Sequence, residues 1–224
     1  MPEPAVRKTT KQQRAEARAE KVRAHQQQEV ARKRNRRIAT VSGAVGGAAI
    51  LALVITFVAT ATEPLQRPQD IEIEGLKEFS NLPATHIDPA PVDYQKNYGM
   101  AVPAGGDHSQ IWLNCGVYNE PQPNENAVHA LEHGAVWVTY DPDTATDDDI
   151  AALRNAIPDQ YTILSPYPGQ PAPFMASAWG AQIEMDSVSD ARLAQFVDRY
   201  WKSANAPEPG ASCSGALQGP GLVA

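Results

Sequence analysis

The chain has only two cysteines among its 224 residues and no Cys-x-x-Cys motif. It also lacks a phosphate-binding loop and the Gly-x-Ser-x-Gly nucleophile elbow, which excludes the enzyme classes that are built on them. The acidic triplet at residues 147–149 has neither the alternating ligand spacing nor the final Glu of a calcium-binding loop. No internal repeat is present. The function must therefore be sought in other residues.

Positive charge is scarce after residue 37. Residues 1–37 carry 12 Lys or Arg and 4 Glu, a net charge of +8, so the remainder carries −15 of the total of −7. Because residues 1–37 hold few large apolar side chains, we expect a disordered or loosely helical tail. The tail has no aromatic residues with which to stack bases, so we expect no nucleic acid as partner. A basic tail beside a membrane predicts binding to anionic lipid.

Charged residues are absent from residues 38–62. As a helix, these 25 residues would extend roughly 37 Å, enough to span a hydrocarbon core of about 30 Å. The basic residues at 32–37 predict a cytoplasmic N-terminus and an extracytoplasmic C-terminal part at the plasma membrane. Cleavage after residues 59–61 is the alternative, but the charged and apolar segments are both longer than those of typical signal peptides. The glycines at 43–47 offer a weak small-xxx-small signal for a helix-mediated dimer.

The remaining residues predict a short stalk at 63–80 and one compact exported α+β domain at 81–224. Strand patterns occur at residues 110–114, 135–140, 161–164 and 174–179, with 182–185 as a candidate partner of the last. Helices are expected at about 125–133, at 146–157 between a Thr146 cap and Pro158, and from about Ser189. The predicted order is β-α-β-α-β-β-α, the order of a thioredoxin-like core, with a mixed sheet of about four strands.

The cysteines, Cys115 and Cys213, both lie in the part predicted to be exported. An oxidising compartment favours a disulfide between them. That bond would hold the Pro- and Gly-rich tail at 207–224 against the sheet. The alternative is a copper or zinc thiolate at Cys115, which lies near the histidines in sequence.

Four of the five histidines fall within 48 residues, and two belong to the run His129-Ala130-Leu131-Glu132-His133-Gly134. Residues four apart share one face of a helix, so His129 and His133 would point the same way beside the Glu132 carboxylate. His86 and His108 could complete a copper or zinc site, with Glu132 as a ligand or as the carboxylate that orients an imidazole. A thioether from Met100 or Met175 is a further candidate ligand.

Two other interpretations of the histidines remain open. They could be hydrogen-bonded struts that tie the preceding loop to the helix, since a histidine is favoured at a helix C-terminus. The run His-x-x-Glu-His is also the inverted zinc-protease signature, but a helix that Gly134 ends after two turns is too short for that site. If the histidines are structural, the chain is best interpreted as a non-enzymatic accessory subunit that docks on an envelope protein complex.

Several motifs resemble a known family. They are Pro103-Ala104-Gly105-Gly106-Asp107-His108, Trp112-Leu113-Asn114-Cys115-Gly116-Val117-Tyr118, Glu125 to Tyr140, Ser165-Pro166-Tyr167-Pro168-Gly169, Ala178-Trp179-Gly180 and Pro207-Glu208-Pro209-Gly210-Ala211-Ser212-Cys213. Over roughly residues 80–215 the chain resembles the actinobacterial proteins of the domain of unknown function 3105 family. The resemblance implies a membrane-anchored exported domain in which positions matching His86, His108, His129, Glu132 and His133 recur. It implies no activity, and many relatives read Pro-Thr-Ser-Gly where this chain has residues 103–107.

Overall fold

The computed structural model describes residues 18, 21, 23, 25–37, 39–40, 68–88 and 90–223. The chain divides into two compact units, residues 1–65 and residues 66–224. In the first unit, residues 25–37 and 39–40 are helical. The predicted membrane helix at 38–62 lies outside the described residues except at 39–40. Within the described ranges, no helix is both long and apolar enough to cross a membrane.

The second unit is built on a mixed sheet of six strands, so the α+β class is confirmed and the predicted number of about four strands is too low. The spatial order is β1-β6-β5-β3-β4-β2. Strands β2, β4 and β3 are parallel neighbours, whereas β5 is antiparallel to β3, and β6 and β1 continue the antiparallel half. The strands are β1 (Lys77–Glu78), β2 (Gly116–Val117), β3 (Val136–Tyr140), β4 (Thr162–Pro166), β5 (Phe174–Ala178) and β6 (Ala181–Met185).

Helices cover both faces of this sheet. A 3-10 turn at Pro68–Asp70 is followed by α1 (Tyr94–Tyr98), α2 (Asn124–Glu132), α3 (Asp147–Ala156) and α4 (Arg192–Tyr200). Successive side chains of a strand point to opposite faces. Val136 and Val138 of β3 accordingly pack in the core that α3 and α4 share, and Trp137 packs in the core under α2. This double burial explains why all five residues of β3 are buried.

One local strand prediction differs from the structure. Residues 110–114 do not form a strand: Leu113 makes one bridge with Leu217, and the strand of this region, β2, begins at Gly116. The reason is that the Leu113 amide donates to the carbonyl of Asn126, in the first turn of α2, and not to a strand. The prediction that residues 182–185 pair with the strand before them is confirmed, because they lie in β6, which is antiparallel to β5. Strand β6 adds one strand to the predicted thioredoxin-like order.

The segment predicted as a stalk joins the fold before residue 81. Ile73 is buried in the core shared by α3 and α4, and β1 pairs with β6 at the edge of the sheet. Arg199 of α4 donates to the carbonyl of Ile71 at 2.8 Å. Apolar side chains at 71, 73 and 76 therefore make residues 68–80 part of the folded unit.

The α3 prediction is confirmed in detail. Thr146 is the N-cap, and its hydroxyl and the Asp149 carboxylate cap each other's backbone amides in a capping box. Leu153 is fully buried, and the helix ends at Ala156, ahead of Pro158. Helix α4 begins at Arg192, three residues later than predicted.

Candidate metal centre

Helix α2 places His129 and Glu132 in the protein interior. Six consecutive residues of this helix, 127–132, are buried, because small and apolar side chains pack on the sheet while the polar ones face the preceding loop. His129 and Glu132 are three residues apart and so lie on one face of the helix. The helix ends at Glu132. Gly134 follows with a φ of +93°, a backbone conformation that residues other than glycine rarely adopt. A Cβ at Gly134 would also lie 3.3 Å from the Lys202 backbone.

Two loop histidines are held beside this helix by backbone pairing. The Ile87 amide donates to the His108 carbonyl at 2.8 Å, and the His108 amide donates to the Thr85 carbonyl at 3.0 Å. This parallel bridge places the rings of His86 and His108 with their centroids 4.9 Å apart. His86 and His108, 22 residues apart in sequence, thus both place their imidazoles next to Glu132.

We call His86, His108, His129 and Glu132 the inner cluster. The Oε2 atom of Glu132 lies 2.9 Å from His108 Nε2, 3.8 Å from His86 Nε2 and 3.9 Å from His129 Nε2. One ligand atom from each of the four residues lies within 4.8 Å of all the others. His108, His129 and Glu132 are buried, while the side chain of His86 is 43% exposed. The inner cluster is therefore a nearly buried set of three nitrogens and one oxygen with one side open to solvent.

Backbone carbonyls fix the orientation of the two buried imidazoles. His108 Nδ1 donates to the Gly106 carbonyl at 2.7 Å, and His129 Nδ1 donates to the Ser109 carbonyl at 2.6 Å. Each Nδ1 thus holds a proton, and each Nε2 faces Glu132. This is the usual arrangement behind metal-binding histidines, whose second nitrogen donates to a carbonyl or carboxylate.

The backbone conformation of Gly106 is needed for its hydrogen bond with His108. Its φ is +110°, and a Cβ there would lie 2.6 Å from the Tyr98 ring. The Tyr98 hydroxyl in turn accepts a hydrogen bond from the Asp107 amide. A glycine at 106 therefore lets α1 approach closely and aims the Gly106 carbonyl at His108.

His108 and Glu132 share a proton in a hydrogen bond, because His108 Nε2 lies 2.9 Å from Glu132 Oε2 while Nδ1 already donates to Gly106. Burial raises the pKa of Glu132, but the hydrogen bond from His108 and the charges of His108, His129 and His86 together hold this pKa below its usual range. Burial lowers the pKa of His108, but the Glu132 and Gly106 hydrogen bonds raise it above its ordinary value. Burial holds the pKa of His129 below its ordinary value. His129 therefore has a free Nε2 lone pair, whereas a metal ion would have to displace the His108 proton.

His133 turns away from the inner cluster. Its Nδ1 donates to the Ser212 carbonyl at 2.6 Å, and its Nε2 lies 3.4 Å from Oε2 of Glu208. The rings of His129 and His133 touch, with centroids 4.6 Å apart, but their Nδ1 atoms are held by different carbonyls. The Nε2 atom of His129 consequently faces Glu132, whereas that of His133 faces Glu208. The predicted single group of His129, His133 and Glu132 is therefore divided into two groups that share His129.

We call His129, His133 and Glu208 the outer cluster; their ligand atoms also lie within 4.8 Å of one another. Sequence reasoning did not select Glu208, which lies 75 residues after His133 in the Pro-rich tail. The only sequence signal was its place in the family motif at 207–213. Its side chain is 51% exposed.

The predicted disulfide is confirmed: Cys115 and Cys213 are bonded, with their Cα atoms 5.4 Å apart. The alternative of a metal thiolate at Cys115 is therefore wrong. Ser212 and Glu208 precede Cys213, so the disulfide holds the tail segment that supports His133. The structure places the two candidate thioethers in the core, since Met100 Sδ accepts the Ala104 amide and Met175 packs under α2.

Two tryptophans form walls of the clusters. The Trp112 ring lies 5.1 Å from His133 and 5.7 Å from His129 between centroids, and Trp179 meets the edge of His108 at 5.7 Å. These apolar rings limit access of water to the histidines. A buried histidine and carboxylate set of this kind can hold a divalent transition ion.

Comparison with known proteins gives a family and no activity. No curated protein and no solved structure matches the chain. The family described as a protein of unknown function (DUF3105) matches residues 90–215, which include all the residues of both clusters except His86. The chain belongs to this family of proteins of unknown function.

Proposed function

We propose that the second unit binds one divalent transition-metal ion, zinc or copper, in the inner cluster. The observation that carries this proposal is the convergence of three imidazoles on the single buried carboxylate of Glu132, with all four ligand atoms within 4.8 Å of one another. Four ligands of this type suit a closed tetrahedral zinc site. A closed site favours holding, delivering or sensing the ion over hydrolysis, which requires an open position.

The ligand chemistry supports zinc or copper over softer or harder ions. Imidazole suits zinc and copper, whereas calcium and magnesium take oxygen ligands. Both cysteines are bonded to each other, so no thiolate contributes. A carboxylate among the ligands favours the divalent over the monovalent state of copper.

The preset imidazoles support metal binding over a purely structural role. A strut needs only one good hydrogen bond for each histidine, and the carbonyls of Gly106 and Ser109 already supply it through Nδ1. The Nε2 atoms of His86 and His129 nevertheless both face Glu132 at a distance too long for a hydrogen bond. This leaves a space bounded by ligand atoms that a metal ion would close.

We further propose that this domain works outside the cytoplasm. The disulfide supports an oxidising compartment. The apolar segment at 38–62 and the basic residues before it support a membrane anchor with a cytoplasmic N-terminus. Anionic lipid for the basic tail and an envelope protein as docking partner stay predictions.

Metal content of the purified full-length chain tests the function. We expect close to one zinc or copper ion for each chain by inductively coupled plasma mass spectrometry. His86→Ala removes the partly exposed ligand, and Glu132→Gln removes the central carboxylate; each should weaken zinc affinity by about tenfold or more. His25→Ala, which removes the fifth histidine from the first unit, should change nothing.

The unfolding curve of each variant is measured alongside, so that loss of metal is separated from loss of fold. If the wild-type chain retains no ion after zinc or copper loading, the proposal is wrong. It is equally wrong if folded His86→Ala binds the ion as tightly as His25→Ala. Either result would make the histidines struts and favour the accessory-subunit interpretation.

A further inference from the structure

The two clusters share one residue, His129. The inner cluster adds His86, His108 and Glu132 to it, and the outer cluster adds His133 and Glu208. His129 can offer only one nitrogen, because its Nδ1 is committed to the Ser109 carbonyl at 2.6 Å. With Nδ1 committed, only the Nε2 atom of His129 is free to bind an ion, and it can serve one set at a time.

The two sets also differ in completeness and exposure. The inner cluster has four protein ligands, and its carboxylate, Glu132, is buried. The outer cluster has three ligands, and its carboxylate, Glu208, is half exposed. Three ligands leave a position open for water or for a donor's ligand, as in open zinc sites, whereas four close the coordination shell.

From this overlap we infer that a single ion uses two positions: it is taken up and released at His133 and Glu208, and it is held in the inner cluster. This inference rests on the proposed function. The outer cluster is thus a transfer position for the same zinc or copper ion, and its exposed carboxylate attracts the cation. His129 stays bound during the transfer, so the ion never leaves protein ligands completely.

The transfer is a ligand exchange without redox change. The bonds from the ion to Glu208 Oε2 and His133 Nε2 break while bonds to Glu132, His108 and His86 form. The ion would replace the proton in the 2.9 Å hydrogen bond between His108 Nε2 and Glu132 Oε2, and that proton would leave to solvent, as is usual on metal binding. Release of the ion reverses each step.

A direct route past His86 is the competing possibility, because that side chain is 43% exposed. The two routes differ in their dependence on Glu208. If the ion passes through the outer cluster, removal of the Glu208 charge slows exchange without removing the bound ion. If it passes His86 directly, Glu208 is irrelevant to both rate and affinity.

The test measures transfer of zinc from the loaded full-length chain to an excess of a coloured chelator. Glu208→Gln keeps the size of an exposed side chain and should leave the fold intact. We expect one ion for each chain in the wild type and in this variant, but at least fivefold slower transfer from the variant. His133→Ala should slow transfer similarly, with its fold checked by circular dichroism.

Glu72→Gln is the matched control, because it removes an exposed carboxylate beside Ile73 in the segment that packs with α4. It should transfer zinc at the wild-type rate. A rate for Glu208→Gln within twofold of the wild type would overturn the inference while leaving the proposed function intact. Two ions for each chain, or loss of the ion from Glu208→Gln at equilibrium, would also overturn it. A wild-type chain that binds no ion would overturn both proposals.

Discussion

Reduction of the Cys115–Cys213 disulfide should lower the stability of the second unit without unfolding it. The two cysteines are 98 residues apart in sequence. In the chain-entropy model, opening a loop of that length costs about 4.7 kcal/mol at 25 °C, because the unfolded chain regains conformational freedom. For a unit of this size, each kcal/mol corresponds to roughly 2–4 °C, so we expect the Tm to fall by about 9–19 °C.

The folded state should keep its tail in place after reduction. The amide of Cys115 donates to the Cys213 carbonyl at 2.7 Å, and the Asn114 amide donates to the Leu217 carbonyl at 2.8 Å. The Tyr161 hydroxyl adds a bond to the Ala211 carbonyl at 2.8 Å. Because these contacts do not need the sulfur–sulfur bond, the effect of reduction should arise mainly in the unfolded chain.

The assay is urea unfolding followed by tryptophan fluorescence, with and without reductant. The slope of the free energy of unfolding against urea should increase on reduction, since the open chain exposes more surface. A Cys115→Ser/Cys213→Ser double variant is the control, and its free energy of unfolding should be the same with and without reductant. A loss of less than about 1 kcal/mol on reduction would refute the reasoning, because unfolded-chain entropy would then not govern this bond.

Three further predictions concern the N-terminus of α3 and the turn that follows α2. Thr146→Ala should cost about 0.5–2 kcal/mol in urea unfolding by removing the α3 cap, and unchanged stability would contradict it. The pKa of Asp149 is lowered by its bonds to Thr146, so its contribution is present above its ordinary value of 3.8 and is lost as the pH falls through the folded value. Thermal melts of Asp149→Asn should therefore show a lower Tm than the wild type at pH 7, with the difference shrinking as the pH falls below 3.8; a pH-independent difference would contradict it. Gly134→Ala should cost roughly 1–3 kcal/mol in urea unfolding through backbone strain at positive φ, and a neutral result would refute that geometry.

Local signals were sufficient where neighbours in sequence are neighbours in space. The N-cap, acidic first turn and closing proline of α3 all act within a few residues, and the structure has the helix where they predict it. The short histidine helix is likewise ended by Gly134, one residue from its predicted end. Such features were predictable because capping and periodicity depend on the chain alone.

Predictions failed where distant segments supply the partner. Residues 110–114 have a strand pattern, but the amides of Leu113 and Asn114 donate to the carbonyls of Asn126 and Leu217 instead of to a strand of the sheet. Residues 68–80 look polar and extended, yet Ile73 reaches the core and β1 finds a place beside β6. No local pattern gives the position of those partners.

The sequence by itself determined the division of charge and the helix that carries His129 and Glu132, and it limited the two cysteines to each other as disulfide partners, although the structure was needed to exclude a thiolate at Cys115. Only the tertiary structure decided how the histidines divide. The bridge between His86 and His108 completes the inner cluster, whereas the carbonyl of Ser212 turns His133 toward Glu208. The physical reason is that the orientation of an imidazole is set by the acceptor at its second nitrogen, and the acceptors of His129 and His133 are the carbonyls of Ser109 and Ser212, outside α2.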